Sequence, residues 1–451
     1  MVKANTRMLG NENFLRGPRW LVIIGVLSTL AWAGTRLHFE DINDILEAIL
    51  ILGGFWSVYR YGNGIGRSPL FWLLWIALGI QLASWGLSQL THPEWAEDHP
   101  HLGRLARPLL FLLIAWWLGG NINRTLVFWA IAACSVLASP WLSGGGTSEL
   151  MLALKGIRID FDLRNAQHTG LFFGTVLLGL LCLRQRFLLP NRYRWLLRLT
   201  WAASVLFTGF VIVATQTRGI WLGLVLAAIV LLIIDLLHVI RARNWRLLAV
   251  PLSLATVVVV LSASYGGDII SKRLQAERET VQAIFSGNVD KVPYSSIGIR
   301  FHTWRAAWDF FTERPMLGWG GNGRSLAIEH TEWLPPEIRT GFGHLHNSYL
   351  ELLVNYGLVG LLFYAALLLC LLRASQAAVA SGAMPRDFHA FFLTFLAFWS
   401  VINCFESYFL FWTGVFTFSV VCAGIVTLTW VPGSASEKRA TSFRASPTSV
   451  P

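Results

Sequence analysis

The run Gly341-Phe342-Gly343-His344-Leu345-His346-Asn347-Ser348-Tyr349 sets two imidazoles two positions apart, where a polar loop enters an apolar block. A neutral imidazole can accept a proton from a hydroxyl near pH 7. Two of them could also share a metal ion with a third ligand such as His330 or His302, or polar groups here could merely cap the helix that follows. The carboxylates nearby are scattered and no His-Glu-x-x-His spacing occurs, so no metal is expected. Two arginines occupy a second kind of position. Arg218, in Thr217-Arg218-Gly219, heads an apolar block, and Arg300 sits near the start of an amphipathic stretch. An arginine at the head of a span is often a snorkelling anchor. A guanidinium beside free helix-start N–H groups is equally an anion site. Gly318-Trp319-Gly320-Gly321-Asn322-Gly323 matches the spacing of a dinucleotide loop, but that loop needs a preceding strand. Here a helical pattern precedes it, so a tight turn bringing backbone close to a ligand or a span is expected instead.

The elements that must position these groups are apolar blocks. Of 451 residues 55% are hydrophobic and 14% charged, against about 25% charged in soluble domains. That excludes a soluble multidomain enzyme. Blocks lie near 20–35, 44–59, 69–89, 105–119, 125–142, 167–183, 195–214, 219–237, 246–263, 349–372, 388–404 and 408–430. Many approach the roughly 20 residues that cross a bilayer as a helix, giving about 12 transmembrane helices, with 44–59 and 105–119 the shortest. Trp20, Trp195, Trp221 and Trp430 stand at block ends, where indoles prefer the interface. Cys134, Cys182, Cys370, Cys404 and Cys422 lie in or beside the blocks, which argues against a disulfide framework or a paired-cysteine metal site.

The net charge of +11 could indicate nucleic acid, but its distribution is a topology signal. With the N-terminus in the cytoplasm, the short loops on that side hold Arg60, Arg67, Arg124, the cluster from Arg184 to Arg198, Arg241, Arg243, Arg246, Arg373 and Arg386. Both termini are then cytoplasmic, anionic lipids are the expected contact of the basic excess, and no nucleic-acid partner is expected. The chain divides into helices 1–9 (1–263), a long outer segment (264–346), helices 10–12 (347–432) and a disordered tail (433–451). Lys3, Arg7, Arg16 and Arg19 ahead of an apolar run also resemble a signal peptide, although an uncleaved first span is preferred.

The outer segment is the most polar part of the chain and the first place to look for function. Ile269, Leu274, Val281 and Phe285 indicate one amphipathic helix. A second begins at a Ser295-Ser296 cap, with Ile297, Phe301, Trp304, Trp308 and Phe311 at helical spacing and Arg300, Arg305 and Asp309 elsewhere. It could lie on the membrane surface or pack on the other spans.

Thr217-Arg218-Gly219 at the head of a span, a long loop with an Arg-bearing helix and the run Arg314–Gly323, and then His346-Asn347 leading through Tyr349 to Gly360, together resemble the O-antigen ligase family of the O-antigen ligase and polymerase superfamily. The similarity is strongest over about 200–365. The resemblance implies an all-α polytopic protein of the bacterial inner membrane, a glycosyltransferase of GT-C-like architecture with a periplasmic loop. It implies transfer of a glycan from undecaprenyl diphosphate to lipid A–core, with no metal, nucleotide or other cofactor. Carried over by motif, Arg218, Arg300 and His346 occupy the family's functional positions, the first after Thr rather than the commoner Ser. Asn347, His344 and Arg305 are further candidates for substrate contact. On this reading the two guanidiniums clamp the diphosphate, His346 is general base, and single displacement inverts the anomeric centre. Alternatives are an O-antigen polymerase, a protein O-oligosaccharyltransferase, or a lipid-linked glycan transporter, which would need no base.

Overall fold

In the computed structural model of the protein the described residues are 14–188, 193–242, 275, 277–287 and 289–431. The expected span 246–263, the first part of the amphipathic stretch 269–285, residues Lys3 and Arg7 and the tail 433–451 lie outside them. The described residues are helical, with no strand among them. The principal helices are α1 (Arg19–Thr35), α2 (Glu40–Tyr61), α3 (Pro69–Thr91), α4 (Phe111–Leu118), α5 (Ile122–Leu142), α6 (Ala166–Cys182), α7 (Arg194–Ala214) and α8 (Arg218–Ala242). They continue with α9 (Arg278–Phe285), α10 (Ser296–Glu313), α11 (Gly323–Glu329), α12 (Ser348–Ala380), α13 (Arg386–Ile402) and α14 (Trp412–Thr429).

Seven helices among the described residues are long and apolar enough to cross a membrane: α2, α3, α5, α7, α8, α12 and α14. With α1 and α6 as shorter apolar helices, this is a multi-pass membrane protein. Burial sorts the helices. The apolar window of α14 is 89% buried and forms the centre of the bundle, whereas α7 and α8 are 22% buried and present Leu, Ile and Val outward. An outward apolar surface is stable only against lipid, whose tails solvate it as well as another helix would. The block 105–119 does not form one span. Two short turns (Gly103–Ala106 and Arg107–Leu110) precede α4, whose eight residues are all buried, and Gly119 at φ 68° ends it. Pro108 removes a helical donor and Gly119 supplies a left-handed cap, so this apolar run becomes a core helix.

Two packing devices set the active end of the bundle. Gly219, Gly223 and Ala227 recur at four-residue intervals on α8, the spacing that lets membrane helices approach closely. A Cβ on Gly219 would lie 2.9 Å from the Cβ of Phe405, and one on Gly223 would lie 2.8–2.9 Å from Ile402 and Phe398. The start of α8 is therefore pressed against the end of α13. The second device is the glycine-rich run after α10. Its N–H groups on Trp319 and Gly320 donate to the carbonyls of Val354 and Asn355 at 2.9 Å, while Leu358 and Val359 donate back to Pro315 and Met316. The exchange is possible because α12 breaks at Gly357 (φ 64°), where a Cβ would sit 2.2 Å from the Met316 carbonyl. The GxGxxG spacing thus builds a turn that approaches a helix backbone, as the missing strand implied.

A buried site at the head of helix α12

Asn347 caps α12. Its side-chain oxygen accepts the N–H groups of Tyr349 and Leu350 at 3.0 and 3.2 Å, so this candidate for substrate contact has a structural role. His346, just ahead of the cap, adopts a left-handed backbone (φ 51°) that a non-glycine residue takes only when its surroundings enforce it. Those surroundings are specific. Glu351, fully buried one turn into α12, accepts the Leu345 N–H at 2.9 Å and the Ser407 hydroxyl at 2.6 Å, and it pairs with Arg324 at 3.0 Å. Ser348 donates to the Asn403 side chain at 2.6 Å and its N–H to the Asn403 carbonyl at 2.9 Å. The head of α12 is thereby fastened to the loop joining α13 to α14.

That loop carries the residue the sequence reading missed. Glu406 is fully buried, and its Oε2 lies 3.1 Å from Nδ1 of His346 while Oε1 lies 3.5 Å from Nε2 of His344. Gln167, at the start of α6, donates to the same Oε2 at 2.7 Å, and the Ser407 N–H donates to Oε1 at 3.0 Å. Burial opposes ionisation of this carboxyl, but the two imidazoles and the Ser407 N–H outweigh it and hold the group well below the usual carboxylate range. An ionised carboxylate only accepts. The Nδ1–H of His346 therefore donates to Glu406, and Nε2 is left as the nitrogen that can take a proton.

Arg300 lies within electrostatic reach of Glu406 and of Arg218. Arg218 is exposed at the first position of α8, beside a turn in which the Thr215 and Thr217 hydroxyls bond at 2.9 Å. Arg300 is half-buried in the first turns of α10, after the Ser295 cap, whose hydroxyl accepts the Gly298 N–H at 3.3 Å. Burial lowers the proton affinity of the Arg300 guanidinium. Glu406 and Tyr408 counter this and the charge of Arg218 adds to it, which places all four in one electrostatic neighbourhood. Among the described residues neither Arg218 nor Arg300 has an ion-pair partner. Two more arginines that the sequence reading did not single out border the site: Arg164 lies 3.9 Å and Arg324 5.6 Å from the Phe411 ring centroid. His168, buried on α6, bonds the Thr413 hydroxyl at 2.6 Å and contacts Tyr408 and Phe411 edge-on, with its Nε2 lacking a partner among the described residues.

One donor atom each from His344, His346 and Glu406 lie within 4.8 Å of one another, so these three could hold a metal ion. The third member is not one of the histidines the sequence offered. His330 packs on Trp95 with ring centroids 4.5 Å apart, and Nε2 of His302 donates to the Val292 carbonyl at 3.0 Å. The Arg305 guanidinium lies 4.9 Å from the Trp333 ring. The carboxylates Glu329, Glu332 and Asp309 do not enter the cluster.

Comparison with known proteins agrees with this segment of the chain. A Haemophilus influenzae protein described only as uncharacterized is 29% identical over 159 residues, 34% of this chain and 37% of the relative, so the likeness spans little more than a third of that relative's length. The family model described as O-antigen ligase matches residues 202–365, which hold Arg218, Arg300, His344 and His346. Over that segment the chain is similar to the O-antigen ligase family.

Proposed function

We propose that this protein is a metal-independent, inverting glycosyltransferase that moves a glycan from undecaprenyl diphosphate to a sugar hydroxyl of lipid A–core. In this reading it sits in the inner membrane with both termini in the cytoplasm and residues 264–346 at the periplasmic face, in accord with the Arg and Lys of the short loops. The observation that carries the reading is the conjunction at the head of α12: an imidazole held by a buried carboxylate at 3.1 Å, with two arginines that lack ion-pair partners among the described residues, one of them in the field of that carboxylate.

The acceptor hydroxyl gives its proton to Nε2 of His346 as its oxygen bonds the anomeric carbon. The bond from that carbon to the diphosphate oxygen breaks, and its electron pair leaves with undecaprenyl diphosphate. Glu406 stabilises the imidazolium and fixes its tautomer, and the proton passes from Nε2 to solvent after transfer. Arg218 and Arg300 neutralise the leaving diphosphate, each guanidinium offering a bidentate fork. Attack from the face opposite the leaving group inverts the anomeric centre.

The test is transfer by the purified protein in detergent, with undecaprenyl-diphosphate glycan and lipid A–core as the only substrates. A glycan-extended lipid A–core with inverted anomeric configuration is the expected product. Polymerised donor with no use of lipid A–core would assign polymerase activity instead. No transfer to any acceptor by folded protein that binds donor would remove the enzymatic reading.

A further inference from the structure

Helix α10 buries its small-residue side. Gly298, His302, Thr303, Ala306 and Ala307 are inside, whereas Trp304 is half-buried and Trp308 is 54% exposed. Phe310 and Phe311 are buried too, whereas Phe301, Trp304 and Trp308 line a cleft of about 840 Å³. Arg305 of α10 lines it with them, together with Gly287, Val289, Lys291 and Leu350. No carboxylate lines it among the described residues. Leu350 is in the first turn of α12, capped by Asn347. Trp304 Nε1 donates to the Leu345 carbonyl at 2.7 Å, tying the aromatic wall to the residue between the two imidazoles. The cleft therefore adjoins the segment that carries His346.

We propose that this cleft is a subsite for the acceptor glycan, and that it selects sugars bearing anionic substituents such as phosphate. The proposal rests on the glycosyltransferase reading and deepens it. Indole faces offer flat apolar area that matches the C–H face of a pyranose, with rigid rings that lose little freedom on binding. Among the described residues Lys291 and Arg305 offer the only formal charges in the lining, and both are positive. The volume suits a few sugar rings. A hydrocarbon chain would have no use for two cations at the same cleft, and a bare phosphate would have no use for the indoles. An anionic sugar uses both.

The probe is the soluble phosphorylated oligosaccharide released from lipid A–core by mild acid, together with its enzymatically dephosphorylated form, titrated calorimetrically into the full chain in detergent. Wild type should bind the phosphorylated form at least about tenfold more tightly. Trp308→Ala should weaken binding of both forms about tenfold, Trp308→Phe should restore most of it, and the double variant Lys291→Gln/Arg305→Gln should lose the preference for phosphate. Equal affinity of wild type for the two forms would overturn the anionic class, and undiminished binding by Trp308→Ala would overturn the subsite. Binding with this pattern by protein that transfers nothing would instead strike the ligase reading and leave the subsite standing.

Discussion

Nδ1 of His346 lies 3.1 Å from Oε2 of Glu406, 60 positions further along the chain. The Gln167 amide donates to the same oxygen at 2.7 Å. A carboxylate on one ring nitrogen sets the tautomer of the other, which converts a polar side chain at a helix head into an oriented base.

His346→Ala should lower the transfer rate by about 10²–10⁴-fold, the usual contribution of a general base. Glu406→Gln keeps the size of the side chain but not the charge that stabilises the imidazolium, and should cost at least about tenfold in kcat with KM for donor little changed. His344→Ala should be milder, because its imidazole is further from the carboxylate at 3.5 Å. A Glu406→Gln enzyme with wild-type kcat would show that the pair is structural only.

Arg218→Lys and Arg300→Lys each keep the charge and lose the fork. A bidentate charge-assisted contact is worth about 1.5–3 kcal/mol, so each variant should slow transfer by about tenfold or more. Both arginines lack ion-pair partners among the described residues, so the folded state should barely notice the change. Equal thermal stability with reduced transfer is the expected pairing. Full activity in both variants would leave them as interfacial anchors.

Glu406 has a folded-state carboxyl held below the ordinary range. Its contribution to stability is therefore complete above the unfolded value of about 4.3 and is lost as pH falls from there toward the lower folded value. Thermal unfolding in detergent from pH 6 to pH 3.5 should show wild type losing more stability than Glu406→Gln. Because Glu406 stays ionised across pH 5–8, its own titration should add no acid limb to the rate in that window. Parallel stability curves for the two proteins would contradict the depressed carboxyl.

Transfer should survive chelation by EDTA and need no added divalent ion. The motivation is that Arg218 and Arg300, which lack ion-pair partners among the described residues, can supply the charge a metal would bring to a diphosphate. His344, His346 and Glu406 make the rival reading concrete, with donor atoms within 4.8 Å of one another. Stoichiometric zinc in the purified protein, lost together with activity on chelation and restored with it, would establish that rival.

Gly219→Ala should impair activity more than stability. Its new Cβ would meet Phe405 at 2.9 Å, forcing apart the first turn of α8, which carries Arg218, and the loop that carries Glu406. Overpacking of this kind costs about 1–3 kcal/mol. Wild-type transfer by Gly219→Ala would mean that the separation of Arg218 and Glu406 is not critical.

Local signals were legible in the sequence because they depend on near neighbours. Apolar content and block length marked a membrane protein, and Ser295 marked the start of α10. His346 before Asn347 marked the head of α12, although Asn347 proves to cap the helix. Residues that meet only through packing left no such mark. Glu406 is a single carboxylate in a short connection, and Gln167 stands 239 positions from it; neither belongs to a periodic pattern. They come together because α8 can press on α13 where Gly219 and Gly223 lack side chains, and because Ser348 and Glu351 fasten the head of α12 to the loop after α13. The aromatic stripe of α10 shows the same limit from the other side. Helical spacing put Phe301, Trp304 and Trp308 on one face, but whether that face turns inward depends on what packs opposite. There Ala306 and Ala307 allow a closer approach than indoles do, so that side went in together with Phe310 and Phe311, and Phe301, Trp304 and Trp308 were left lining a cleft.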